Sequence, residues 1–163
     1  MRERWGNIMK VQTKWFGEMD ISEDKIFTFE KGIIGFDNFK NYTIIYDAEK
    51  GDEASIYWLQ STEEQALAIP MINPIVAKQD YDPVVEDELI NSLGQNISDA
   101  SLEVFVTITV PKNIENMTCN LKAPIILNTD TMKGIQLIAD NDDYLVRFPI
   151  YDRLKENSRK DGE

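Results

Sequence analysis

The chain has 163 residues, 42% hydrophobic and 28% charged, a composition that suits one globular domain and is far from a disordered or membrane-spanning one. Its 29 acidic and 17 basic residues give a formal charge of −12, a field that repels phosphate backbones, so direct nucleic-acid binding is not expected. Histidine is absent and Cys119 is the only cysteine, which removes the commonest general base, the usual hydrolase triads, most zinc sites and any internal disulfide.

Met9-Lys10-Val11-Gln12-Thr13 reads as a natural start leading directly into a strand. Residues 1–8 are therefore expected to be a non-native extension, with Arg4-Trp5-Gly6 spelling what a translated purine-rich ribosome-binding site would encode. The domain itself is expected over residues 9–150. The opening residues lack the apolar stretch of a signal peptide, and no apolar run approaches the roughly 18 residues of a membrane span. A cytoplasmic protein without a membrane partner is the expectation.

Period-2 alternation predicts short strands at Val11–Phe16, Lys25–Phe29, Tyr42–Tyr46, Ile56–Gln60 and Leu67–Ile72. A helix follows, because Val85, Leu89 and Leu93 recur every four residues after Pro83, Glu86, Asp87 and Glu88 sit in its first turn, and Gly94 can end it. The clearest strand is Leu102–Val110, where Leu102, Val104, Val106, Ile108 and Val110 face one way and only Phe105 breaks the pattern. A weaker helical turn covers Asn113–Glu115. Further strands are predicted at Met117–Ala123, Ile125–Asn128, Ile135–Ala139 and Tyr144–Phe148, and the charged tail at 151–163 is expected to fray. Many short strands separated by turns make the fold class mainly β, a barrel or sandwich with one or two short helices.

The acidity is localised. Between Asn41 and Pro111 thirteen acids meet only Lys50 and Lys78, a local net of −11. Such a segment either merely confers solubility, the reading that charge alone favours, or speeds encounter with a cationic partner.

No catalytic residue, metal or cofactor is expected. Cys119 alternates with core-facing residues and has no histidine to activate it. Glu63-Glu64 and Asp142-Asp143 are neighbours in sequence, and adjacent acids on a strand face opposite sides. Asp140-Asn141-Asp142-Asp143 resembles part of a calcium loop but lacks the turn glycine and the closing glutamate, so it reads as a connection. Gly32-Ile33-Ile34-Gly35 lacks the Lys-Ser/Thr of a phosphate-binding loop. That loop is instead a binding cue: its glycines permit unusual backbone angles around aliphatic residues, with Ile33 and Phe36 either docking a partner or plugging the end of a barrel.

In order along the chain, several segments resemble the FliW flagellar assembly factor family. They are Met9-Lys10-Val11-Gln12-Thr13 with Phe16-Gly17, Phe29 with Gly32-Ile33-Ile34-Gly35-Phe36, Trp58-Leu59-Gln60-Ser61, and Ile72-Asn73-Pro74. Thr107-Ile108-Thr109-Val110-Pro111 continues the match. So do Met117 to Asn128, Lys133-Gly134 and Tyr144 to Pro149. Ile34 stands where the family usually has proline, and Cys119 where it usually has an aliphatic residue.

The resemblance implies a small FliW-like β pseudobarrel whose partners are flagellin and the translational regulator CsrA. It implies a protein that binds CsrA, relieves its repression of flagellin mRNA translation and is sequestered by flagellin. A dedicated flagellin secretion chaperone without a CsrA role is the alternative. The candidate partner-binding residues are Ile33, Phe36, Trp58 and Asn73 as apolar and polar anchors. Asp80, Asp82, Glu86, Asp87, Glu88, Asp99 and Glu103 are the candidates for steering a basic patch on CsrA.

Overall fold

The computed structural model describes residues 7–46, 56–94 and 101–155. The chain opens with a hairpin, β1 (Ile8–Gln12) against β2 (Glu18–Ser22), in register from Ile8↔Ser22 to Gln12↔Glu18. Asn7 extends this pairing, its carbonyl accepting the Glu23 amide at 2.8 Å. The predicted strand Val11–Phe16 therefore ends early. Thr13 turns the chain by donating its hydroxyl to the Gly17 carbonyl at 2.6 Å while accepting the Phe16 amide at 2.8 Å, and Gly17 takes a positive φ of 69°.

Seven strands then close into a barrel. They are β3 (Ile26–Thr28), β4 (Asn41–Tyr46), β5 (Tyr57–Ser61), β6 (Ala68–Ile72), β7 (Leu102–Thr109), β9 (Ile125–Asn128) and β10 (Lys133–Gln136). The order around the barrel is β7-β6-β5-β4-β3-β10-β9, and β9 returns to β7 with Leu102 opposite Asn128 and Phe105 opposite Ile125. All pairings are antiparallel except β3 with β10. Closure leaves no unpaired edge in this ring.

The interior is filled by one large residue from almost every strand: Phe27, Tyr42, Leu59, Met71, Phe105, Ile125 and Leu127, joined by Phe29. Gly134 on β10 makes room for them, since a Cβ there would stand 2.5 Å from a Phe29 ring carbon. Tyr42 is fully buried with its ring edge-on to Phe29 at 5.3 Å, and its hydroxyl has no hydrogen-bond partner among the described residues. Burial, reinforced by the charge of Glu63, pushes its pKa up to about 12.

The pattern of β7 has a different cause from simple alternation. Phe105, the residue out of step, is the one that enters the barrel. The even-numbered face is covered from outside: Leu102 and Val104 pack with Leu93, Ile126, Ile135 and Leu137, whereas Val106 and Ile108 pack with Cys119, Leu121, Ala139, Tyr144 and Ile150. A strand buried on both faces carries apolar residues on both. Val110 escapes this cover and is exposed.

Two outer layers do the covering. Helix α2 (Asp87–Asn91) presents Leu89 and Ile90, flanked by Val85 and Leu93, to the first of them; the helix is shorter than its apolar spacing predicts. The second is built on β8 (Thr118–Cys119) and β11 (Phe148–Pro149), which extend the sheet beyond β7. The predicted strand Met117–Ala123 is cut short where the Asn120 side chain accepts the Lys122 and Ala123 amides and turns the chain. The predicted strand Tyr144–Phe148 is a loop anchored by buried Tyr144, pairing only at its end. Residues 151–155 form a helical turn whose Tyr151 and Leu154 pack on this layer, so this part of the tail docks where fraying was expected; residues 156–163 lie outside the described set, as do residues 1–6. No described helix is long and apolar enough to cross a membrane.

Candidate functional site

The loop 29–40 closes one end of the barrel. Gly32, at φ 70°, brings the chain so close to Asp37 that a Cβ would lie 2.8 Å from the Asp37 Cα. The Phe36 amide donates to the Ile33 carbonyl at 2.7 Å, and Ile33 drops into the barrel core with 3% exposure. Its neighbours go the other way: Ile34 is 55% and Phe36 43% exposed, and the Ile34 amide is held by the Gln136 side chain at 2.9 Å. Ile33 is thus the plug, while Ile34 and Phe36 lie on the outside.

The hairpin turn 13–17 is tied to the same end of the barrel, through Gln60. This glutamine is buried on β5, its side-chain oxygen accepts the Lys14 amide at 2.9 Å, and its amide nitrogen donates to the carbonyls of Gln65 and Leu67 at 3.1 and 3.2 Å. Gln65 in turn donates to the Thr13 carbonyl at 3.3 Å. Glu63 joins the loop 29–40 to this network by accepting the Lys40 and Asn41 amides at 2.7 and 2.8 Å. Trp58, on the outer face of β5, is half-buried beneath Trp15, their ring centroids 5.8 Å apart. Trp15 and Phe16 remain exposed at the tip of the turn. This end therefore offers two aromatic side chains from the hairpin and two large apolar ones from the glycine loop, on backbone held by side-chain hydrogen bonds. Large apolar groups held rigidly in this way are suited to docking a protein.

Asn73 has a local duty. Its side-chain oxygen accepts the Ile75 amide at 3.1 Å and caps α1 (Pro74–Ala77), a helix the sequence pattern did not reveal.

The acidic set divides. Asp80, Asp82, Glu86, Asp87 and Glu88 are exposed along one segment leading into α2. Its backbone is clamped by the 140–144 loop: Asn141 accepts the Val84 amide at 2.7 Å and donates to the Asp82 carbonyl at 3.2 Å. The Tyr144 hydroxyl accepts the Asp82 amide at 2.7 Å, while Tyr81 stacks on the Tyr144 ring at 4.9 Å and donates to the Leu121 carbonyl. Burial raises the Tyr81 pKa. Lys78 bonds Asp80 at 3.0 Å, which lowers the carboxyl pKa and raises that of the lysine. Glu103 stands apart on β7, at the other end of the barrel, and Asp99 lies outside the described residues. Cys119 is buried, and burial pushes its thiol up to about 12, so it stays protonated near neutrality.

Trp15, Phe16 and Gln60 are the residues that sequence reasoning left out of the site. The signal was Thr13 four residues before Gly17, a turn that the run of large residues disguised as strand.

A model of the FliW protein family matches residues 10–150. The chain belongs to the FliW family of flagellar assembly factors. The flagellar assembly factor FliW of Lachnospira eligens is 60% identical over 147 residues, covering 90% of this chain and 97% of that protein. Its counterpart in Lachnoclostridium phytofermentans is 46% identical over 156 residues, covering 95% and 99%. A crystal structure of the flagellar assembly factor FliW is similar with a TM-score of 0.78 and 29% identity, covering 88% of this chain and 97% of that one. The FliW relationship thus extends over the whole barrel, both outer layers and the glycine loop.

Proposed function

We propose that this protein regulates flagellin synthesis by exchanging protein partners: it binds CsrA and relieves repression of flagellin mRNA translation, and flagellin sequesters it. The observation that carries this reading is the FliW family match over residues 10–150. The exposed apolar end and the clamped acidic segment support it as two different kinds of docking surface. Apolar anchors set how long a complex lasts, and exposed charges set how fast a cationic partner arrives. CsrA is an RNA-binding protein, and a basic surface on it is what Asp80, Asp82, Glu86, Asp87 and Glu88 would attract. Action takes place in the cytoplasm under this reading, with no chemical step.

Calorimetric titration with purified CsrA and purified flagellin, separately and in competition, tests it. Binding of both, with one displacing the other, is expected. Binding of flagellin alone would replace the regulator with a dedicated secretion chaperone. The acidic segment has its own test, because changing Glu86, Asp87 and Glu88 together to lysine should slow CsrA association at low salt in surface plasmon resonance. An unchanged on-rate would remove that segment from the CsrA contact.

A further inference from the structure

Among the described residues, no loop plugs the end of the barrel opposite the glycine loop. An open cleft of about 790 Å³ lies there, bordered by the start of β3, the end of β4, the start of β5, β7 and the hairpin strand β2. That volume falls within the roughly 300–1,000 Å³ of sites that hold ligand groups. Its floor is a chain of touching aromatic rings: Tyr46 to Tyr57 at 5.5 Å and Tyr57 to Phe105 at 5.1 Å. The chain runs from an exposed ring, Tyr46, to a buried one, Phe105. The rim is acidic. Asp20 and Asp24 come from the hairpin side and Glu103 from β7, against Lys25 as the one cation among the described lining residues. Asp20 is bonded to Lys10 at 3.3 Å, which leaves Asp24 and Glu103 as the carboxylates without a salt bridge to a described residue.

The geometry points to this cleft as a docking site for a segment of a partner polypeptide in which apolar or aromatic side chains are flanked by lysine or arginine. The floor takes the apolar groups by stacking and burial, and a cation over Tyr46 gains a further attraction from the ring face. Asp24 and Glu103, on different elements, take the basic groups at the two sides. The same rim disfavours nucleic acid and anionic lipid headgroups, whose phosphates it repels. This assignment stands apart from the identity of the partners proposed above, since it rests on the cleft alone.

The test uses short synthetic peptides titrated against the full chain and followed by nuclear magnetic resonance and fluorescence anisotropy. Peptides alternating lysine or arginine with leucine or phenylalanine should bind, move the resonances of Tyr46 and Glu103, and weaken as salt is raised. Peptides with glutamate in place of the basic residues should not bind. The double substitution Asp24→Lys and Glu103→Lys should weaken the basic peptides roughly tenfold or more. Tyr46→Ser, at an exposed position, provides a second variant that removes the stacking surface without touching the core. The inference is overturned if no basic peptide binds, if acidic and basic peptides bind alike, or if binding leaves the Tyr46 and Glu103 resonances unmoved. Affinity that is indifferent to Tyr46→Ser and to a folded double variant would also overturn it.

Discussion

The two ends of this barrel are made from the same seven strands and finish in opposite ways. At one end a twelve-residue loop, 29–40, turns back through Gly32, drops Ile33 into the interior and leaves Ile34 and Phe36 outside. At the other the interior ends in the rings of Tyr46, Tyr57 and Phe105 beneath an acidic rim. The difference lies in what each end presents to solvent. A plugged end can carry exposed apolar groups because the residue beside them is locked into the core. The other end, among the described residues, keeps its aromatics as a floor and places charge around them.

If the plug is what holds the first end, its loss should be the costliest change. Ile33→Ala leaves a cavity in the core and should destabilise by about 2–5 kcal/mol in chemical denaturation. A loss below 1 kcal/mol would show that the loop closes the barrel without Ile33. Gln60→Ala should come next, at about 1–3 kcal/mol, because Gln60 satisfies the Lys14 amide and its loss strands a group in a partly buried place. The same variant should release Trp15 from Trp58 and change tryptophan fluorescence; an unchanged spectrum would mean that the ring contact alone fixes the turn.

Tyr42→Phe should have the smallest effect at neutral pH and an informative one in alkali. Removing a buried hydroxyl without a partner should leave stability unchanged or raise it by about 1 kcal/mol. The folded-state pKa of about 12 is above the ordinary value of 10.0, so burial favours the neutral phenol. That contribution is intact below about pH 10, where the unfolded phenol starts to ionise, and is lost as pH rises through 12. The wild type should therefore lose more stability across this window than Tyr42→Phe. Parallel losses in the two proteins would place the effect on other groups.

Much of the barrel was legible in the sequence because its strands are short and alternate. The Ile125–Asn128 strand has the predicted bounds and β4 to β7 differ from theirs by a residue or so. The failures have local causes. Glu18–Ser22 was missed as a strand because a two-stranded ribbon with polar neighbours lacks a strong apolar stripe, and Asn120 ended a strand by hydrogen bonds that alternation does not encode. At the candidate site, the loop's glycines marked an unusual backbone, yet which aliphatic residue faced inward depended on the Ile33–Phe36 hydrogen bond. Asn73 looked like an anchor because a cap and a contact residue have the same chemistry; only the helix after it distinguishes them.

The most direct measurement is the affinity of CsrA and of flagellin for a variant carrying Ile34→Ser and Phe36→Ser, beside wild type, by surface plasmon resonance. Both positions are exposed, so the melting temperature should be nearly unchanged while at least one partner binds roughly tenfold or more weakly, mainly through faster dissociation. Unchanged affinity for both partners in a normally folded variant would contradict the plugged end as a docking surface.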